Sequence, residues 1–307
     1  MTKKTTLIPA ALLAATLFLA VPARPGTVPA SIVPDGATWI AHLDMEKFVA
    51  TSLFQAMEKD GRFDIKDRDA KNWLKIDVRK DIASVTIFGL GAGDKQAVVA
   101  VSGKFDKPAL LAKIAAIEGH EEIPYGAYTL YSMDGDGYGA FVNDGLIVLS
   151  ENRAALEKVL DTAAGKAKSF AASDLSAAFK GLAPGAFLSG VVKDLTGLGK
   201  EINQSKLVGK AGGLTFTAAE KQDLLQVRVQ VDAESPESAK NMADIIQGLV
   251  ALARMGDKGD EVHGFVGLVD GLQVKLEGTK LRLEFDGSTE EIVKLMSHGR
   301  GLEKLLD

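Results

Sequence analysis

The chain has 307 residues, with 36 Lys and Arg against 41 Asp and Glu, a formal charge of −5, and no Cys. Disulfides, thiolate metal sites and a lipid-modified Cys are thereby excluded, and an acidic balance without any run of four basic residues argues against a surface that tracks phosphates. Aromatic residues make up only 6%, fewer than sugar-binding or base-stacking surfaces display.

The N-terminus has the three parts of a cleavable export signal over residues 1–23. Lys3 and Lys4 supply the positive start, Leu7 to Ala20 is an uncharged run rich in Leu and Ala, and Val21-Pro22-Ala23 puts small residues before the cut. Val28-Pro29-Ala30 is an alternative cut. The run falls short of the roughly 20 apolar residues of a spanning helix. Cleavage after Ala23 removes two of the 36 basic residues and no acid, leaving 34 against 41 and a charge of −7. The expected mature product is exported and soluble, periplasmic or extracellular. Residues 24–34, with three Pro and a Gly, read as an extended lead-in.

A first α+β unit is expected over 35–168. Thr38 to Leu43 is an apolar strand, and Asp44 caps a helix from Met45 to Lys59 with Phe48, Val49, Leu53 and Met57 inward. Ser84 to Leu90 and Gln96 to Ser102 are strands. Lys107 to Glu118 is a helix capped by Asp106, with Pro108 in its first turn and Gly119 ending it. Tyr128 to Met133, Tyr138 to Asn143 and Leu146 to Ser150 form a meander, after which Ser150 caps a helix carrying Leu156, Val159 and Leu160.

A second unit is expected over 169–307. Ala186 to Val192 is a buried-type strand, followed by Asp194 and a Gly-rich helical stretch. Gly213 to Ala219 and Leu224 to Val231 pair across a turn at Glu220 to Asp223. Ser235 and Pro236 open a long helix ending at Gly256, with Ala239, Met242, Ala243, Ile246, Leu249, Val250 and Ala253 on its inward face. Ile245 and Leu252 widen that apolar sector, and burial against the helix's own sheet is the expected use. Leu272 to Glu277 and Lys280 to Asp286 form a hairpin over Gly278-Thr279, and Ser288 with Glu291 makes a capping box for a last helix.

Both halves run β-α-β-β-α-β-β-α. Residues 99–106 correspond to 227–234 at an offset of 128, and Leu146–Leu160 corresponds to Arg282–Met296 at 136. The expected fold is α+β, two similar units produced by duplication, each an antiparallel sheet with helices on one face. A single continuous sheet across both halves is the alternative.

Pro34-Asp35-Gly36-Ala37 leading into a strand and an Asp-started helix, Ser84-Val85-Thr86, and Gly103-Lys104-Phe105-Asp106 give the chain a resemblance to uncharacterised exported bacterial proteins with the same duplicated layout. The resemblance implies a fold and an extracytoplasmic address, and brings no catalytic residues with it.

Chemistry is sparse. His42, His120, His263 and His298 lie in separate segments without a His-x-His pair. His120-Glu121-Glu122-Ile123-Pro124 lacks the second His of a zinc-protease helix and reads as a solvated turn. His42 and Asp44 share a strand face by period-two alternation, either as a general-base dyad or as a polar edge plus a helix cap. Asp134-Gly135-Asp136-Gly137 begins like a calcium loop, which makes Asp134 and Asp136 the metal candidates. Position twelve is Gly145 rather than the bidentate Glu, however, and hairpin turns explain the segment more simply. The Gly-rich stretches at Gly89–Asp94 and Gly197–Glu201 lack the helix start or the Ser/Thr that phosphate binding needs. Trp39 is expected to pack in the sheet and Trp73 to be at least partly buried. Tyr125, Tyr128, Tyr131 and Tyr138 suit cross-strand packing or a ligand groove.

No catalytic residue and no cofactor is expected. The favoured reading is a non-catalytic binding or structural role in the cell envelope. One alternative, a hydrolase of scattered carboxylates and hydroxyls, predicts converging titratable groups in a cleft. Another, an inhibitor or chaperone-like partner of a further exported protein, predicts an exposed apolar patch.

Overall fold

Among the described residues twelve strands pair antiparallel into one sheet, in the order β11-β12-β10-β9-β8-β1-β2-β3-β7-β6-β5-β4. The computed structural model describes residues 27–59, 76–90, 96–133, 137–182, 184–193, 211–255, 271–290 and 292–293. In chain order the strands are β1 (Trp39–Asp44), β2 (Ile82–Gly89), β3 (Ala97–Gly103), β4 (His120–Tyr125), β5 (Tyr128–Met133), β6 (Tyr138–Asn143) and β7 (Leu146–Ser150). They continue as β8 (Leu188–Val192), β9 (Ala211–Lys221), β10 (Leu224–Ala233), β11 (Leu272–Glu277) and β12 (Lys280–Ser288). The fold is α+β, and of the two arrangements open to the sequence it has the single continuous sheet. Outward from the centre, β1-β2-β3-β7-β6 on one side mirrors β8-β9-β10-β12-β11 on the other. The sequence offsets of 128 and 136 fall on corresponding strands, β3 with β10 and β7 with β12.

Directly opposed residues point to the same face, so the register sorts the core. One face of the first half carries Ile40, Phe88, Val98 and Val148, all at most 1% exposed. Helix α4 (Arg153–Ala163), the 3-10 turn Phe170–Ala172 and α5 (Asp174–Lys180) cover it with Leu156, Val159, Leu160, Phe170 and Leu175. On the second half that same face is polar: Arg228 grips Asp286 through two bonds of 2.8 and 2.9 Å, and Lys275 pairs with Glu284 at 2.7 Å. There the opposite face is the packed one. Ala239, Met242 and Ala243 of α6 (Pro236–Met255) lie with Val192, Ala211 and Leu281. Each half is thus covered chiefly from one side, and not from the same side.

The halves also interlock. Helices α1 (Met45–Val49) and α2 (Ser52–Lys59) belong to the first half in sequence but bury Phe48, Leu53 and Phe54 with Phe187, Ala218 and Leu225 of the second. The Phe48 ring lies 5.1 Å from that of Phe187 and 5.3 Å from that of Phe54. Burying a ring of this size stabilises by roughly 1.5–3 kcal/mol.

Several local expectations are corrected. The helix read from Met45 to Lys59 is two, because Thr51 turns its hydroxyl back to Phe48 O (2.6 Å) and accepts the Phe54 N–H (3.0 Å), opening α2 afresh. Helix α3 (Lys107–Ile114) has the expected Asp106 cap, accepting from Ala109 N at 3.0 Å, but ends four residues early in successive turns up to Gly119 at φ 77°. The segment His120–Pro124 is an edge strand, not a solvated turn; Pro124 is tolerated because an edge leaves one side of the ladder free. Asn152 rather than Ser150 caps α4, while the Ser150 hydroxyl donates to Ala97 O. Ile32 and Val33, from the stretch read as lead-in, are 2% and 0% exposed in the first core. The capping Glu291 and the stretch after β8 lie outside the described residues.

Gly190 stands opposite Ala41 and Phe216, and a Cβ there would overlap the Phe216 ring. Gly190→Ala is therefore expected to destabilise the fold by about 1–3 kcal/mol, as overpacked cores do. Urea unfolding midpoints check this, with Phe216→Ala in the same chain expected to remove most of the penalty.

Candidate functional site

His42 and Asp44 do share a face of β1, both buried. Each has its own employment. Asp44 Oδ1 accepts the Lys47 N–H at 3.0 Å as the cap of α1, and its Oδ2 lies 3.0 Å from Lys47 Nζ. His42 Nδ1 is 2.8 Å from Thr86 Oγ1, directly across the β1–β2 pair, with its ring edge-on to Phe179 of α5. His120 Nδ1 meets Ile117 O at 2.9 Å. The calcium candidates Asp134 and Asp136 lie outside the described residues, as do Trp73, His263, His298 and 91–95. Among the described residues no group of three or more His, Asp or Glu could hold a metal.

The four tyrosines divide between the two faces. Tyr125, Tyr128 and Tyr138 pack against the first core, and Tyr125 Oη donates to Asp161 Oδ2 at 2.8 Å, stitching edge strand β4 to α4. Tyr131 turns to the other face, edge-on to Phe141 at 6.3 Å. The hydrogen bond to Asp161, then burial, holds the Tyr125 phenol above its ordinary value; burial does the same for Tyr131. Packing accounts for all four.

What stands out lies on that other face. Ala41, Ile87, Val99 and Leu149 stand directly opposite one another on β1, β2, β3 and β7. In the other direction the same row continues through Gly190, Phe216, Val229 and Leu283. A second row, Leu43, Val85, Val101 and Ile147, runs beside it. No polar side chain interrupts either set. Helix α6 covers this face over the second half, yet over the first half Ile87 is 37% and Leu149 38% exposed. Phe88 and Val148, their neighbours pointing the other way, are 0% exposed. The first half therefore buries one face, with His42, Ser84 and Thr86 among its apolar residues, and leaves the apolar rows of the other partly open.

Helix α6 adds a second apolar surface. Its inward side is Ala239, Met242, Ala243 and Ile246, as expected from spacing. Leu249, expected inward, is instead 61% exposed, and so is Leu252, with Ile245 at 42%. These three follow each other at i, i+4 and i+7 on one stripe beside the packed one. The helix outruns the cluster it covers, and its later turns keep an apolar side with no cover among the described residues of that cluster.

Sequence reasoning missed Ile87 and Leu149 as surface residues. The available signal was apolar character at both phases of β3 and β7, which reads equally as a strand buried on both sides.

No family model matches the sequence, and no curated protein matches it. Solved structures of a protein called TP0453 are similar in fold. Its crystal form III gives a TM-score of 0.52 at 10% identity, covering 88% of this chain and 98% of that one. Crystal form IV gives 0.51 at 10% identity, over 88% and 96%. Likeness at this identity speaks for the α+β fold alone. No helix among the described residues is long and apolar enough to cross a membrane.

The Tyr125 contact has a pH signature. A folded-state value above the unfolded one means its stabilisation is full below the ordinary tyrosine range and lost as pH rises through the raised value. Phenolate absorbance of the parent minus Tyr125→Phe is expected to show that late titration, and Asp161→Asn to bring it back toward the ordinary range. An unmoved difference curve would remove the Asp161 contact as its cause.

Proposed function

We propose that this chain is an exported, non-catalytic binding protein of the cell envelope that engages an apolar surface of another exported protein. The observation that carries the reading is the exposure of Ile87 and Leu149 on a sheet face with no polar side chain in its central rows. Burying such a face stabilises a complex by about 25 cal/mol per Å² of apolar area before association costs. A monomeric protein seldom leaves such a face uncovered without a use for it. The signal-like N-terminus supplies the address, and the mirrored strand order supports duplication as the origin of the wide sheet. The hydrolase alternative gains nothing among the described residues: the ionisable candidates His42 and Asp44 serve a cross-strand contact and a helix cap.

Ile87→Glu with Leu149→Glu tests the reading, since both side chains point outward and the fold should survive by circular dichroism. Tagged mature protein is expected to recover one stoichiometric partner from the native envelope fraction, and the double variant to lose it. Equal recovery by both chains would defeat the proposal.

A further inference from the structure

The β9–β10 turn is tighter than its residues favour. Lys221 faces Leu224, which leaves Gln222 and Asp223 as the central pair, at φ 52° and 60°. Left-handed pairs of this kind match the twist of the flanking strands and ordinarily carry Asn-Gly or Gly-Gly. A Gln and an Asp in that region store backbone strain, and strain of this kind persists only where the surroundings over-determine it.

The surroundings here are three segments far apart in sequence. The Glu220 carboxylate accepts the backbone N–H of Ser52 at 2.6 Å and of Leu53 at 2.9 Å. These are opening donors of α2, groups that no carbonyl inside the helix can satisfy. A helix normally takes such a cap from the residue just before it. Thr51 does this for Phe54, while Glu220 reaches in from 168 positions away. The Thr289 hydroxyl is shared between Glu220 Oε2 at 3.3 Å and Asp223 O at 2.9 Å, and the Thr289 N–H also donates to Asp223 O at 3.2 Å. One strained turn thus holds the start of α2 and the start of the helical residues at 289–290 and 292–293.

We propose that this turn is a clasp, whose release is a discrete opening: α2 and the turn begun by Thr289 leave the sheet together while β1, β2 and β3 stay paired. Helix α2 has eight residues, too few to persist in water alone. Both segments reach the core through a few side chains, Leu53 and Phe54 with Ala56 and Met57 beside them from one and Ile292 and Val293 from the other, all in a single cluster. Segments joined in this way open as a unit below the global unfolding limit. The opening bares the Phe187 and Leu225 side chains at the ends of β8 and β10.

Hydrogen exchange by mass spectrometry on the whole mature protein tests the clasp. Glu220→Ala is expected to speed exchange in 52–59 and in 289–293 together, by about tenfold to a hundredfold, as loss of bonds to a charged acceptor implies, with β2 and β3 unchanged. Thr289→Val should act in the same direction on both segments. Gln222→Gly relieves the turn and should slow both. Acceleration spread evenly over β2 and β3, acceleration of one segment without the other, or no change in either would each overturn the proposal.

Discussion

Ile40 opposite Val191 and Ala41 opposite Gly190 join the two halves through the middle of the sheet. This antiparallel pairing of β1 with β8 sets how the faces of the two halves line up. It also decides which residues share a face over the whole width, because a shift by one position would turn every side chain over. A slip there would take Val191 out of the first core, where it lies with Ile40, Phe88 and Val98. Gly190 permits the pairing to be as close as it is, since the Phe216 ring lies across the place a Cβ would take. Helices α1 and α2, leaving directly from the end of β1, then have the ends of β8 and β10 within reach. Asp44 links the two events: its N–H donates to Phe187 O at 2.7 Å while its carboxylate caps α1.

With that pairing goes an asymmetry that leaves the first half with an exposed apolar face. Polar residues at every second position let the second half leave one face to water. Arg228, Glu284 and Lys275 supply charge there that pairs across the strands. The first half has no such alternation in β3 and β7. Apolar residues occupy both phases, and α4 and α5 reach only one of them. The uncovered phase continues the row that α6 packs in the second half, so a surface built like a core extends to where no helix among the described residues lies over Ile87 and Leu149.

Much of the fold was legible in the residues. Period-two runs and Gly-Asp turns located eleven of the twelve strands within a few residues, and the caps at Asp106 and Ser235 follow from side-chain chemistry alone. The missing strand, β4, was hidden because His120, Glu121, Glu122 and Pro124 are poor strand formers; its partner β5 and the tether to Asp161 hold it. The long helix was found, but its outward stripe was not. Spacing marks a residue as apolar and in phase, and cannot say how far the sheet beneath it extends, so Leu249 and Leu252 were assigned to a core that stops short of them. Whether the halves share one sheet was equally beyond pattern, since it rests on a contact between β1 and β8, nearly 150 positions apart. The candidate chemistry at His42 and Asp44 was located correctly on one face, but hydrogen bonding to Thr86 and Lys47 gives it a structural use that no spacing discloses.

A chain without Cys offers a direct measurement. Single Cys substitutions at Ile87 and Leu149 are predicted to react with a thiol reagent in the folded protein, while Cys at Phe88 and Val148 stays protected by orders of magnitude relative to them. Equal protection at all four positions would show that both faces of the first half are covered, and the account of an open apolar sheet would be contradicted.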